Sequence, residues 1–81
     1  MKVIYTEEFK RDLKKVRDKK IQNRIKETVE KIKNNPTAGK PLKYNLSGFR
    51  SVKIPPFRIL YEIRENLIIL HKFDHRKKVY K

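Results

Sequence analysis

Two consecutive prolines, Pro55-Pro56, stand between two strand-like runs, and they constrain this chain more than any other feature. Before them comes Ser51-Val52-Lys53-Ile54 and after them Phe57-Arg58-Ile59-Leu60-Tyr61, rich in the β-branched and aromatic side chains that suit a pleated sheet. A two-residue hairpin turn of type I′ or II′ needs positive φ, which proline cannot adopt, and proline donates no backbone hydrogen bond. The link is therefore a wider connection or a type VI turn with cis Pro56. In both cases a lysine and an arginine, Lys53 and Arg58, flank the bend.

The other elements arrange themselves around that hairpin. Residues 2–5 form a short strand, with Val3 and Tyr5 on one face and Ile4 on the other. Thr6 is a good N-cap, and Glu7 and Glu8 suit the positive end of a helix dipole. A helix over 7–18 carries the stripe Phe9, Leu13, Val16, and a second over 19–34 carries Ile21, Ile25, Val29, Ile32. Neither glycine nor proline separates them. Ile21, however, falls five residues after Val16, which rotates the apolar face and argues for a break near Lys19. The second helix stops at Asn34-Asn35-Pro36, because a residue before proline avoids the α region. Residues 36–48 read as a loop tacked to the core by Leu42, Tyr44 and Leu46, and its length points to function or partner contact. Strands over 49–54, 57–63 and 67–73 follow, the last two joined by Glu65-Asn66, where Asn66 suits positive φ. The order β-α-α-β-β-β predicts an α+β fold in one domain, 1–81. Two antiparallel helices cover one face of a four-stranded, mainly antiparallel sheet.

Period two then sorts the strand residues. Phe57, Ile59, Tyr61 and Ile63 should lie under the helices, with Tyr61 a core tyrosine. Arg58, Leu60 and Glu62 point away. Val52 and Ile54 look like core, which puts Ser51 and Lys53 on Arg58's side. On the last strand either Leu67, Ile69, His71, Phe73 or Ile68, Leu70, Lys72 could be core. The predicted result is an uncovered sheet face bearing Lys53, Arg58 and, with one of the two registers, Lys72. An Arg58–Glu62 ion pair would have to span four residues along a strand, too long to be favoured. Lys53 alone would read as a solvated charge beside a turn, and His71 as a locally satisfied strand residue.

Composition bounds the function. Lys plus Arg is 23 against 9 for Asp plus Glu, a formal net charge of +14. Such a field attracts polyanions and costs stability through self-repulsion, so nucleic acid or a ribosome surface is the expected partner. A Lys-rich solvated surface would explain many of the cations but not the shortage of acids. Cysteine is absent, which excludes disulfides and thiolate chemistry. The acids are few and scattered, so no metal site is expected. No apolar run approaches a membrane span and the first residues lack a signal-peptide pattern, so a cytoplasmic protein with no membrane partner is expected.

Three stretches carry a resemblance: Leu46-Ser47-Gly48-Phe49-Arg50-Ser51-Val52-Lys53-Ile54, then Phe57-Arg58-Ile59-Leu60-Tyr61-Glu62-Ile63, then His75-Arg76-Lys77-Lys78-Val79-Tyr80. Together they resemble the RelE/ParE toxin superfamily, and most closely its compact RelE-like members. The resemblance implies a toxin of a type II toxin–antitoxin system, a ribosome-dependent mRNA endonuclease that cuts in the A site and halts translation. It implies a cognate antitoxin that wraps around the toxin, and contact with operator DNA only through that complex. Arg58 then matches the arginine that steadies the scissile phosphate, and Lys53 a basic residue of the preceding strand. Tyr80 matches a C-terminal tyrosine of proton transfer, and Arg76 falls near an arginine that stabilises the transition state or leaving group. Some members carry a second lysine where this chain has Ser51. With that lysine absent, the alternatives are His75 as a proton-transfer group or Arg50 as a source of charge.

The chemistry is self-sufficient on these residues. RNA cleavage without a metal or cofactor uses the 2′-hydroxyl as nucleophile, a base beside it, cations on the phosphorane and an acid at the 5′ oxygen. Lys53, Arg58, His75, Arg76 and Tyr80 form the candidate catalytic set. Arg50, Ser51, Lys72, Lys77 and Lys78 are candidate RNA contacts. A tyrosine, with an ordinary pKa of about 10, becomes a base only where cations depress it. Two other readings stand beside this one. A ParE-like inhibitor of DNA gyrase shares the fold and needs no cleavage site. A non-catalytic RNA- or ribosome-binding module would need exposed stacking aromatics, and most Phe and Tyr here are assigned to the core.

Overall fold

The computed structural model describes residues 1–80. Its elements are β1 (Lys2–Tyr5), α1 (Glu7–Lys14), α2 (Lys19–Asn34), β2 (Lys40–Pro41), β3 (Phe49–Ile54), β4 (Phe57–Arg64) and β5 (Leu67–His75). The sheet has five strands in the order β1-β5-β4-β3-β2. Only β1 pairs in parallel, Lys2 to Tyr5 lying against Leu67 to Leu70. The fold is α+β as expected, with a fifth strand in place of four. The addition is β2, whose Lys40 and Pro41 pair with Ser51 and Arg50 at the sheet edge, a setting in which a strand tolerates proline.

Helix α1 begins where Thr6 Oγ1 accepts the Phe9 amide at 3.1 Å. It ends at Lys14, short of the expected 18, because Asp18 is committed to the next helix. Asp18 takes extended backbone, and its carboxylate caps α2 by accepting from Lys20 N at 2.8 Å and Ile21 N at 3.4 Å. Phe9, Ile25, Val29 and Ile32 from the helices pack on Ile54, Ile59, Tyr61, Ile68, Leu70 and Phe73 of the sheet, forming the core.

The hairpin turn is the cis alternative. The Pro55–Pro56 bond is cis, and Ile54 pairs directly with Phe57 across it. In the other hairpin the positive φ, 54°, falls on Glu65 rather than Asn66. Strand β5 resolves the choice between its two alternating sets by using both. Leu60 pairs with Lys72 but Tyr61 with Leu70, so His71 is an extra residue, a β-bulge. Before it Ile68 and Leu70 reach the core; after it Phe73 does. Of the loop residues, Leu42 and Leu46 are half-buried, whereas Tyr44 is 91% exposed. Its left-handed backbone, φ 60°, turns the ring to solvent. Among the described residues no helix is long and apolar enough to cross a membrane.

Candidate functional site

Strands β3 and β4 set Lys53 directly opposite Arg58, one pair in from the proline turn. Both lie on the face away from the helices, since their neighbours Ile54 and Ile59 are in the core. A hollow of about 320 Å³ opens there, lined by Lys53, Pro55, Pro56, Phe57, Arg58 and Arg76. Every charged residue in that lining is a cation. None of the three forms a salt bridge among the described residues. Uncompensated cations around a concave surface favour an anion. A larger hollow of about 420 Å³, between the α1–α2 connection and the same turn, carries mixed charge, including Asp12, Asp18 and Asp74.

This face is not open along its length, as period two alone suggests. After β5 the chain turns back on itself, with the Lys78 and Val79 amides donating to the His75 carbonyl at 2.7 and 3.0 Å. The Arg76 amide donates to the Pro56 carbonyl at 3.1 Å, tying the tail to the hairpin turn. The tail buries Val79 completely, and Leu60, which points away from the helices, is also buried. The Tyr80 hydroxyl then donates to Ser51 Oγ at 3.0 Å. Arg58 Nη1 donates to that same oxygen at 3.1 Å. Two residues far apart in the chain are thus joined through one buried serine.

The remaining candidates divide. Lys77 and Lys78 are exposed on the tail's turn. His75 is set against Phe57, ring centroids 6.2 Å apart, and its Nδ1 accepts from the Lys77 amide at 3.5 Å. It does not join Arg58 and Tyr80. Lys72 Nζ lies 3.7 Å from Glu8 on α1. Arg50 faces the helix side, and its Nη1 donates to the Thr37 and Gly39 carbonyls at 3.1 and 2.8 Å, clamping the loop. Ser51 is only 2% exposed, beneath the surface rather than on it.

Farther along the same face, Glu62 is buried and bound by His71 Nε2 at 3.0 Å and by Arg64 Nη2 at 2.9 Å. Burial alone would raise its pKa, but the His71 and Arg64 hydrogen bonds and the Arg64 charge outweigh burial and hold the carboxyl below its ordinary value. Sequence reasoning missed this group, because the bulge is what turns His71 toward Glu62. It also missed Val79 as the tail's anchor. The signal was present: Val79 is the one aliphatic residue in the run from His75 to Tyr80. Among the described residues no cluster of three or more His, Asp or Glu is arranged to hold a metal.

Residues 3–80 match the model of a protein family described as the ParE toxin of the type II toxin–antitoxin system, parDE. Solved structures agree. The toxin–antitoxin complex RelBE2 from Mycobacterium tuberculosis contains a chain 27% identical, with a TM-score of 0.78, covering 93% of this chain and 96% of that one. The YoeB dimer from Staphylococcus aureus is 26% identical, TM-score 0.78, with coverage of 94% and 97%. The RelB–RelE antitoxin–toxin complex from Methanococcus jannaschii gives 25% identity, TM-score 0.73, and coverage of 95% and 94%. No curated protein matches. With nearly the whole chain inside the family model and the fold shared with toxins solved in complex with their antitoxins, the protein belongs to the ParE toxin family, within the RelE/ParE superfamily of type II toxin–antitoxin toxins.

Proposed function

We propose that this toxin is a ribosome-dependent mRNA endonuclease that works without metal or cofactor. The observation that supports it is the junction of Arg58 and Tyr80 on Ser51 Oγ, at the rim of a hollow lined by Lys53 and Arg76. A scissile phosphate seated there meets three cations. Arg58 steadies its non-bridging oxygens as charge grows in the phosphorane, and Lys53 adds to the field. The 2′-oxygen attacks phosphorus and the bond to the 5′ oxygen breaks. Tyr80 handles a proton at one of these oxygens, and Arg76 stabilises the departing one. Lys77 and Lys78 extend the cationic surface for neighbouring phosphates. His75 has the weakest support as a proton carrier, because its ring packs on Phe57. In this reading the toxin acts in the cytoplasm, an antitoxin neutralises it, and operator DNA is met only through the toxin–antitoxin pair.

One observation favours a second reading. The family model that matches is that of ParE toxins, which supports inhibition of DNA gyrase instead. A translation extract separates the two. Purified toxin should cleave mRNA only when ribosomes are present, and Arg58→Ala and Tyr80→Phe should each slow cleavage by about 100-fold or more. If mRNA stays intact with ribosomes and toxin together, the nuclease reading is lost, and loss of gyrase supercoiling activity in a parallel assay establishes the other.

A further inference from the structure

Ser51 sits where a charged residue would make immediate sense in a phosphate site, yet it is buried and neutral. Its position in the sheet explains what it does instead. It lies opposite Leu60, two residues along β3 from Lys53 and on the same face. Arg58, opposite Lys53, is therefore Ser51's diagonal neighbour, within reach of a long side chain. The guanidinium folds back along the sheet and donates to Ser51 Oγ, while Tyr80 arrives from the tail and donates to the same atom.

A serine hydroxyl has two acceptor lone pairs and one donor. Both acceptor positions are filled here, one by each group. A lysine at this position has three donors and no acceptor, so it could not accept from Arg58 and could meet Tyr80 only by donating to its oxygen; it could not serve as an acceptor common to both. We propose that Ser51 is a positioning residue: a shared acceptor that fixes the Arg58 guanidinium and the Tyr80 hydroxyl at one spacing and holds the tail in register over the cationic hollow. It touches no substrate. It acts through Arg58 and Tyr80, and the inference rests on the nuclease reading of those two residues.

The shape of the site supports this. Arg58 belongs to a strand and Tyr80 to a tail tied back to the hairpin turn by the Arg76 amide on the Pro56 carbonyl, and Tyr80 is 41% exposed. Without a common tether each side chain would sample several rotamers, and a misplacement of about 1 Å at a reacting group costs up to about 100-fold in rate. Because Ser51 is enclosed, its hydroxyl cannot exchange these partners for bulk water without the tail lifting.

The test is ribosome-dependent mRNA cleavage by wild type, Ser51→Ala, Tyr80→Phe, Arg58→Ala and the two double variants that combine Ser51→Ala with each. Ser51→Ala should lower kcat by about 10–100-fold and leave ribosome affinity near wild type. In the Tyr80→Phe and Arg58→Ala backgrounds the same change should cost much less, because the group being positioned is already gone. Losses that multiply across the double variants would overturn the inference, as would wild-type kcat in Ser51→Ala. A Ser51→Lys variant that folds and cleaves faster than wild type would also overturn it, since charge rather than tethering would then be what the position needs. Failure of the nuclease reading itself looks different: the wild-type protein then cleaves nothing.

Discussion

Tyr61 is fully enclosed in the core, and its hydroxyl still has two partners there. It donates to the Pro36 carbonyl at 2.6 Å and accepts from the Gly39 amide at 2.9 Å, so the loop after α2 is fastened to the middle of the sheet. Tyr61→Phe leaves both backbone groups without that partner and should cost about 1–3 kcal/mol in urea unfolding. Gly39→Ala should cost a similar amount, since its Cβ would stand 2.6 Å from the same hydroxyl and the buried ring has nowhere to retreat. The alternation of β4 identifies Tyr61 as core, but not the use of its polar end, because the partners lie 25 and 22 residues away. Arg50 illustrates the same limit. In the chain it is one more cation beside Lys53, and only the folded loop supplies the carbonyls that occupy it. Glu62 gives a residue-scale pH effect. Its folded pKa lies below the ordinary 4.5, so its contribution to stability is present above that value and is lost as pH falls through the folded value. Glu62→Gln should therefore flatten the acid limb of a stability–pH curve, measured by denaturant unfolding from neutral pH downward. Asp12 acts in the opposite sense. Burial raises its carboxyl above 3.8, so stability is regained as pH falls through that raised value, and Asp12→Asn should steepen the same limb.

At the scale of elements, the free edge of β5 beyond β1 is managed by α1 rather than by another strand. Asp12 Oδ2 accepts the Phe73 amide at 2.9 Å, and Thr6 Oγ1 donates to the Leu70 carbonyl at 2.9 Å while also capping α1. Thr6→Ala removes a cap and an edge contact together and should cost about 1–2 kcal/mol, at the upper end for cap losses. Thermal unfolding checks this, and Thr6→Ser should recover most of it. Element boundaries that depend on local chemistry were readable in advance. Asn35-Pro36 ends α2 and Pro55-Pro56 bounds two strands. The end of α1 depended on which of two helices Asp18 would serve, and the bulge at His71 depended on how β5 fits both β4 and the helices above it. Neither is decided by nearest neighbours in the chain. Nor is β2, a two-residue strand with no apolar alternation to announce it.

For the whole molecule, the charge imbalance and the hairpin cations were evident from residue types, whereas the site's assembly was not. Lys53 and Arg58 share a face by period two. That Tyr80 meets Arg58 through Ser51 follows from a backward turn at His75–Val79 that no local pattern specifies. The charge leads to a prediction at this scale. Affinity for an oligoribonucleotide should fall log-linearly with salt, with a slope of about −0.7 for each phosphate neutralised. Fluorescence anisotropy across a salt series measures it, and a flat response contradicts a charge-driven partner. Lys77→Ala with Lys78→Ala should make the slope shallower and weaken binding more than it slows cleavage.

The parallel pairing of β1 with β5 has a consequence for how the protein comes into being. Among the described residues the first strand finds its ladder partner in Leu67–Leu70, so a nascent chain can form α2 and the β3–β4 hairpin but has no neighbour for β1 until those residues leave the exit tunnel. Closure of the sheet and arrival of Arg76 and Tyr80 are therefore nearly simultaneous events. A chain that stops before Leu67 lacks both the partner of β1 and the candidate residues Arg76 and Tyr80, and the machine translating it is also the proposed target.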